Sequence, residues 1–192
     1  MDEVYGNFKE PQEGEEYLII RFSPSSVPLK QRWRNNGLSA DFLAEYWATF
    51  FPAHDIASQH RQLEIKGAVN YIANELLENV MKFSYSPSTY SVDLGLYLFE
   101  NEFRFYARNP VAPSGMPPLR ARIQRLLSED PMELYLQQIE ENAVAVDGTV
   151  SQLGLLTMLT DYDAELAWKF ESREPTPGVE IFIVTTMVSL SL

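Results

Sequence analysis

The sequence predicts an α+β fold, a two-layer sandwich in which helices cover one face of a mixed, mostly antiparallel sheet. Two amphipathic helices precede two pairs of alternating segments, and turn signals separate them. Because only two helices are long enough to cover a sheet, one covered face is expected. With 192 residues, 45% of them hydrophobic, the chain can bury one sizeable core. Residues 17–192 are predicted to form a single domain after an acidic lead-in, residues 1–16.

The composition argues against several classes of protein. Twenty-seven acidic residues against fifteen Lys and Arg give a formal charge of −12, which repels phosphate backbones and makes nucleic acid an unfavourable partner. The absence of cysteine removes disulfides, thiolate zinc sites and cysteine nucleophiles. Two histidines six residues apart do not form a metal-site pattern. No segment approaches the roughly 20 apolar residues that cross a bilayer, so a cytoplasmic protein without a membrane partner is expected.

The first predicted elements are a strand and a helix. Tyr17–Phe22 reads YLIIRF and is predicted to form the first strand. A helix is predicted from Ser39, as its N-cap, to Phe51, because apolar residues recur there at three- and four-residue spacing. Residues 27–36 can add a further helical turn. The strand offers an edge to a second chain, which allows a homodimer.

The strongest periodicity runs over residues 58–84 and predicts the central helix. At 100° per residue, six apolar residues fall within a sector of about 80°. They are Ile65, Val69, Ile72, Leu76, Val80 and Phe83. Glu75, Asn79 and Lys82 lie at the border of this stripe, where a pocket between helix and sheet would open. The alternative is a Glu78–Lys82 surface pair beside two solvated side chains.

Beyond the central helix the apolar period changes to two. Val92–Leu98 and Phe103–Ala107 are predicted to form an antiparallel hairpin with its turn at Glu100 and Asn101. Residues 109–118 contain four prolines and a glycine. The second strand is therefore expected to end at the start of this segment.

Residues 119–148 are predicted to form a lid-like region with two short helices, Leu119–Leu127 and Met132–Ala143. From Leu127 to Asp147 the sequence has six acidic residues and no Lys or Arg. Such a stretch is typical either of a partner-facing segment or of a solvated face. Three arginines in the region can clamp phosphates or form a solvated face: Arg120, Arg122 and Arg125.

The C-terminal part contains a short helix and a second hairpin. The helix is predicted over Gln152–Thr160, after Gly148 and Ser151. Two alternating strands follow, Ala164–Glu171 and Val179–Val188, joined by a Pro- and Gly-containing turn. Their large apolar residues, including Trp168 and Phe170, are predicted to belong to the core.

Residues 73–84 read ANELLENVMKFS and resemble the N-box of the GHKL ATPase superfamily. Within it, the run is most similar to that of bacterial anti-sigma factor kinases and SiaB-type kinases of STAS-domain proteins. In that motif the asparagine ligates Mg²⁺ between ATP phosphates, and the preceding glutamate acts on the attacking hydroxyl. The resemblance implies that Asn79 is the metal ligand, Glu75 the general base and Lys82 a phosphate-facing cation.

A second resemblance lies at residues 151–159, which read SQLGLLTML and are similar to the G2 box of the superfamily. In that box a glycine-bearing turn opens a short helix whose N–H groups donate hydrogen bonds to phosphate oxygens. The resemblance assigns Gly154 and Leu155 to this turn. The alternative is that Gly154 relieves crowding between a helix and a strand.

The sequence departs from the superfamily at the adenine-binding G1 box. The usual pattern is D-x-G-x-G, whereas residues 107–115 read ARNPVAPSG. Asn109 takes the aspartate position, and its Oδ1 can accept the same hydrogen bond without a charge. The cofactor that the resemblance implies is Mg-ATP, with this box altered.

Two functions remain open from the resemblance. The first is an ATP-binding regulatory protein, a Mg-ATP-dependent serine/threonine kinase of the anti-sigma type. It would phosphorylate or bind a STAS-domain regulator in a partner-switching pathway. The second is a degenerate GHKL-like module with weak or no ATP binding, which docks a signalling partner. A third hypothesis, independent of the resemblance, is a purely structural or oligomeric role through the first strand.

Overall fold

The structure, a computed structural model of the chain, describes residues 2–12, 16–23, 33–85, 87–144, 153–176 and 178–192. Within these ranges it contains six strands and five α-helices. The strands are β1 (Glu3–Tyr5), β2 (Tyr17–Phe22), β3 (Val92–Leu98), β4 (Glu102–Val111), β5 (Glu165–Thr176) and β6 (Val179–Ser191). The helices are α1 (Trp33–Ala48), α2 (Ile56–Phe83), α3 (Met116–Ser128), α4 (Pro131–Val144) and α5 (Gly154–Asp161).

The six strands form one sheet in the order β1-β5-β6-β4-β3-β2, and each of the five pairings is antiparallel. Helix α2 lies over β3 and β4, and α1 packs on α2. The predicted α+β sandwich of two layers is therefore confirmed. Within the described ranges, no helix combines the length and the apolar character that a bilayer span needs.

The core lies between α2 and the helix-facing side of the sheet. The register sets Leu96 of β3 opposite Phe105 of β4, and both side chains are buried, as the alternation predicts. Five of the six predicted stripe residues of α2 are buried, but Phe83 is 56% exposed, so its predicted place in the core is wrong. Phe83 is the last residue of α2, and the chain turns away at Ser84 with extended backbone (φ −65°, ψ 136°).

Helix α2 begins with a capping box that fixes its first turn. Asp55 Oδ1 accepts a hydrogen bond from the Ser58 backbone N–H at 2.8 Å, and Ser58 Oγ accepts one from the Asp55 N–H at 2.9 Å. The hydrogen bonds from Ser58 lower the pKa of Asp55. The central helix is therefore confirmed, with its start two residues earlier than predicted.

Helix α1 begins at Trp33, so the predicted N-cap at Ser39 is wrong. Ser39 lies inside the helix, and Ala40 and Trp47 beyond it are buried in the core. Packing of this apolar face extends the helix through Gly37, a residue with low helix propensity. The helix also ends before Phe51, in a turn with i→i+3 hydrogen bonds. Of the further turn predicted at 27–36, residues 27–32 lie outside the described ranges.

Strand β4 extends through Asn109 and Pro110 to Val111, so the predicted end of this strand is wrong. These three residues pair with Val184, Ile183 and Phe182 of β6. The Pro110 carbonyl accepts a hydrogen bond from the Tyr85 N–H at 2.8 Å, on the side away from β6. The nitrogen and the carbonyl group of one residue point to the same side of a strand, so the Pro110 nitrogen also faces away from β6. Its missing N–H therefore removes no hydrogen bond between β4 and β6.

The remaining helices and the second hairpin are confirmed, with different ends. Helix α3 begins at Met116 instead of Leu119, because Pro117 and Pro118 fit the first turn of a helix, where N–H groups have no helical partner. Helix α5 begins at Gly154, and residues 145–152, including Gly148 and Ser151, lie outside the described ranges. Strands β5 and β6 are longer than predicted and reach Thr176 and Ser191.

The acidic lead-in includes an edge strand. Strand β1 pairs with β5, with Glu3 opposite Phe170. Arg120 of α3 donates two hydrogen bonds to the Glu3 carboxylate, at 2.8 and 3.0 Å. Three residues are too short a run for the alternation that predicts the longer strands, so the sequence pattern does not indicate β1. The division into a lead-in and one domain remains a prediction.

Candidate functional site

The structure brings Glu75 of α2 against Gly154, the first residue of α5. A Cβ atom built on Gly154 would lie 1.9 Å from Glu75 Oε2 and 2.7 Å from its Cδ. The carboxyl group therefore fills the space that any larger residue at position 154 would need. Gly154 lies in a regular helix, so the glycine is required by close approach and not by an unusual backbone conformation.

The surroundings of Glu75 suit a group that takes up a proton. The side chain is half-buried, and burial, with the nearby charge of Glu78, raises the pKa of Glu75 above its ordinary value. Its carboxyl group lies at the N-terminus of α5, where the N-cap residue Leu153 supplies no side-chain cap. A carboxylate with a raised pKa beside the N-terminus of a helix combines a proton acceptor with the end of the helix that favours anions.

A second set of contacts joins α2 to α5 one turn before Glu75. The Tyr71 hydroxyl hydrogen-bonds the Thr157 side chain, and the Tyr71 ring stacks on Tyr162, with centroids 5.3 Å apart and planes at 25°. Burial raises the pKa of both tyrosines. Sequence analysis missed Tyr71, although its position four residues before Glu75 places it on the same helix face.

Asn79 and Lys82 extend the polar row of α2 toward its C-terminus. Asn79 is half-buried and lies one turn beyond Glu75, about 6 Å along the helix axis. Lys82 is exposed, with its Nζ 5.6 Å from the centroid of the Phe83 ring. Asn74 Nδ2 donates to Glu78 Oε1 at 3.4 Å. The described residues contain no Glu78–Lys82 ion pair, so this alternative from the sequence is wrong.

Asn109 and Leu155 occupy positions inside the fold. Asn109 is buried in β4, and its Nδ2 donates to the Pro110 carbonyl oxygen at 3.4 Å. Asn109 therefore lies in a paired strand, whereas the G1 box would place a loop at this position. Leu155 follows Gly154 in α5 and is packed against the core while half-buried. The binding roles of both residues remain predictions.

The three arginines of the lid-like region are engaged within the chain. Arg120 binds Glu3, and Arg125 binds Glu129, with Nε 2.9 Å from Oε1. Arg122 Nη1 donates to Gln138 Oε1 at 3.2 Å. In this arrangement the guanidinium groups tie α3 to β1 and α4, and none of these contacts directs them to Glu75.

Two cavities lie away from these residues. One, of about 470 Å³, is lined by Lys9, Glu102 and Ser189 near the first hairpin turn. The other, of about 260 Å³, lies on the sheet face opposite the helices, beside Tyr97 and Tyr106. No predicted site residue lines either cavity. Among the described residues, no group of three His, Asp or Glu side chains could hold a metal. A magnesium ion held mainly by phosphates and water needs no such group.

Comparisons with known proteins support the fold. No protein-family model and no curated protein matches the chain. Among solved structures, the chain is similar to a chain in the crystal structure of the SiaB-SiaC complex from Pseudomonas aeruginosa. The TM-score is 0.57 at 16% identity, and the similarity covers 89% of each chain. The protein therefore shares, along most of its length, the fold of a chain of that complex.

Proposed function

We propose that the protein is a regulatory protein of a partner-switching pathway and that it binds Mg-ATP between α2 and α5. Its partner is a STAS-domain regulator, on which it phosphorylates a serine or threonine. Three observations support the proposal: the fold shared with a chain of the SiaB-SiaC complex, the N-box-like run on α2 and the G2-like start of α5. The membership in the GHKL superfamily is part of the proposal.

The observation that carries the proposal is the contact between Glu75 and Gly154. It joins the two motifs, about 80 residues apart in sequence, at one point of the fold. The Glu75 carboxyl group occupies the space above Gly154, so a phosphate oxygen can reach the start of α5 only when this side chain turns aside. With Glu75 turned aside, the helix start offers its N–H groups to a phosphate.

The proposal gives each of these residues a role. Glu75 takes the proton of the partner's hydroxyl, for which its raised pKa is suited. Asn79 offers one amide oxygen to Mg²⁺, and the first N–H groups of α5 donate hydrogen bonds to phosphate oxygens. Lys82 lies on the same helix face and can add a positive charge at the open end of the site. Mg-ATP, when bound, supplies the phosphoryl group.

Calorimetric titration with ATP, with and without Mg²⁺, tests the nucleotide site. We expect binding that requires Mg²⁺ and that Asn79→Ala weakens at least about tenfold, since a metal ligand is lost. Asn74→Ala is the matched control, because Asn74 lies on the same helix and its side chain contacts Glu78 instead. Equal losses in both variants, or no binding at millimolar ATP, would contradict the proposed site.

The second candidate function is a docking module that does not bind ATP. A specific observation favours it: Asn109, Pro110 and Val111 form a regular strand paired with β6. A paired strand at this position lacks the glycine-lined bend that the G1 box supplies for adenine. Absence of ATP binding, together with intact binding of a partner protein, would favour this function over the kinase.

A further inference from the structure

Helix α4 carries a row of apolar side chains on its exposed side. Met132, Leu136 and Ile139 are 51%, 54% and 41% exposed, and Ala143 continues the row. At 100° per residue these four positions fall within a sector of about 60°. We call this row the α4 stripe. Its spacing is the one that a helix uses to bury a face against another element.

The opposite side of α4 holds the helix to the domain and is partly polar. Gln138 is only 6% exposed, accepts a hydrogen bond from Arg122 and donates to Glu141 and Asn142. Leu134 is the other buried side chain of the helix. The helix thus buries an amide while three large apolar side chains face outward. Apolar rows of this kind on a soluble domain mark interaction surfaces.

The charges beside the stripe restrict what can cover it. Glu133 and Glu140 lie about 40 to 60° beyond Leu136 on the helix surface, so one border of the stripe is acidic. Residues 126–144 contain five acidic residues and no Lys or Arg. Arg125, the nearest cation in sequence, is bound to Glu129 and Gln137.

These charges disfavour a second copy of the chain as the occupant. When two α4 helices pack antiparallel about a two-fold axis, the acidic border of one stripe lies beside the acidic border of the other. The glutamates of both copies are then side by side and repel each other. They also disfavour an anionic membrane surface. A protein surface with apolar side chains bordered by Lys or Arg complements both the stripe and its border.

We propose that the α4 stripe is the docking surface for a partner protein that presents an apolar patch edged with basic residues. This docking surface rests on one part of the proposed function, namely that the protein binds another protein. It does not require that the protein binds a nucleotide. The acidic border steers such a partner toward the stripe, and Met132, Leu136 and Ile139 supply the apolar contact.

The probe for the test is an 18-residue helical peptide with leucine on one face and lysine on the other. A matched peptide carries glutamate in place of lysine. Binding to the full-length protein is measured by fluorescence anisotropy without nucleotide. We expect the lysine peptide to bind and the glutamate peptide to fail.

Two aspartate variants locate the binding. Leu136→Asp is expected to weaken binding of the lysine peptide at least about tenfold, because it removes a central contact of the stripe. Leu63→Asp adds the same charge at an exposed leucine of α2, 65% exposed, and is expected to change affinity less than about twofold. Both positions are exposed, so circular dichroism should show an unchanged fold.

Three results would overturn the proposal. Equal affinities of Leu136→Asp and Leu63→Asp for the lysine peptide would mean that the net charge of −12 drives the binding and that the stripe does not. No binding of the lysine peptide would show an inert stripe or one that the chain itself covers. A wild type that sediments as a dimer, together with a monomeric Leu136→Asp, would assign the stripe to a second copy. Failure of the ATP titration would leave the peptide result unaffected, so the two proposals fail separately.

Discussion

Gly154 lies in close contact with Glu75, and a single added methyl group would displace the Glu75 carboxyl group. Elsewhere in a helix, alanine is about 0.5 to 1 kcal/mol more favourable than glycine. At position 154 the added Cβ meets the Glu75 carboxyl group within 1.9 Å. The end of the flexible Glu75 side chain has to turn aside, which offsets the usual gain from replacing glycine with alanine.

Gly154→Ala is therefore expected to lower the free energy of unfolding by at most about 1 kcal/mol, the low end of what overpacking costs, because the half-buried Glu75 side chain can turn aside. Urea denaturation measures the change. Gly67→Ala in α2 is the control, since a Cβ there meets nothing within 4 Å, and it should be neutral or stabilising. In a Glu75→Ala background most of the Gly154→Ala penalty should disappear, and a penalty that persists in full would contradict the contact.

Sequence analysis selected Glu75 and Gly154 but missed the tyrosine contacts beside them. Glu75 and Gly154 belong to motifs with a recognisable spacing. Tyr71, Thr157 and Tyr162 meet only because α5 docks against α2, and nothing in their local spacing indicates that docking. A tyrosine on an amphipathic helix is also compatible with ordinary core packing.

At the scale of the elements, one carboxylate joins β4 to its neighbours at the hairpin end. Glu102 accepts hydrogen bonds from Arg104 in β4 and from Ser189 in β6, and Lys9 Nζ lies 3.4 Å from its Oε1. The pKa of Glu102 is lowered to about 2, and the hydrogen bond from Arg104 contributes most to this change. The ionised form is thus favoured in the folded chain.

A carboxyl group whose pKa is lower in the folded state stabilises the fold above its unfolded pKa. This contribution is lost as the pH falls toward the folded value. The difference in unfolding free energy between wild type and Glu102→Gln should be about 2 kcal/mol at pH 6 and should shrink between pH 5 and pH 2. Urea denaturation across this range measures it, and a difference independent of pH would contradict the assignment.

The elements differ in how well their sequence predicts them. Helix α2 has seven turns of one apolar stripe and a capping box, so local pattern and tertiary packing agree. Pro110 suggests a strand end by its local chemistry, but its nitrogen points away from β6 and the strand continues. The start of α1 is likewise set by packing of Ala40 and Trp47, which outweighs the weak propensity of Gly37.

At the scale of the whole molecule, residues 2–10 hold the sheet from its edge and from its helix-free face. Strand β1 extends the sheet, and the Tyr106 hydroxyl donates to the Lys9 carbonyl oxygen at 2.8 Å. The Phe8 ring meets the Tyr106 ring edge-on, with centroids 6.1 Å apart. Lys169 binds Glu10, with Nζ 2.6 Å from Oε1. The buried side chains of Ala167 and Met187 form one cluster with Tyr106 on this face.

Deletion of residues 1–12 should therefore lower the free energy of unfolding by about 3 kcal/mol, since it uncovers this cluster and removes β1. Urea denaturation measures the loss, and hydrogen exchange should show reduced protection in β5. Magnesium-dependent ATP binding, if present in the full chain, should persist because α2 and α5 remain. An unchanged stability would mean that the segment contributes no net packing energy.

The fold class follows from patterns that repeat along the chain, whereas the arrangement of the strands does not. The sequence pattern predicts β2 as a strand, and it predicts β3 and β4 as an antiparallel hairpin. Placement of β6 between β5 and β4, and of β1 at the far edge, depends on contacts between residues over 70 positions apart. Local spacing carries no information on such pairings.

The two edges of the sheet differ in length, with consequences for assembly. One edge is β2, with six residues, and the other is β1, with three. A homodimer through β2, as the sequence allows, would be isologous and would consume the long edge of both copies. Each end of the resulting twelve-stranded sheet would then consist of β1 and the part of β5 beyond it, because β1 pairs with Trp168–Phe170 of the twelve-residue β5. Further growth would have to use this broken edge, which is a poorer template for strand pairing than the continuous edge of β2.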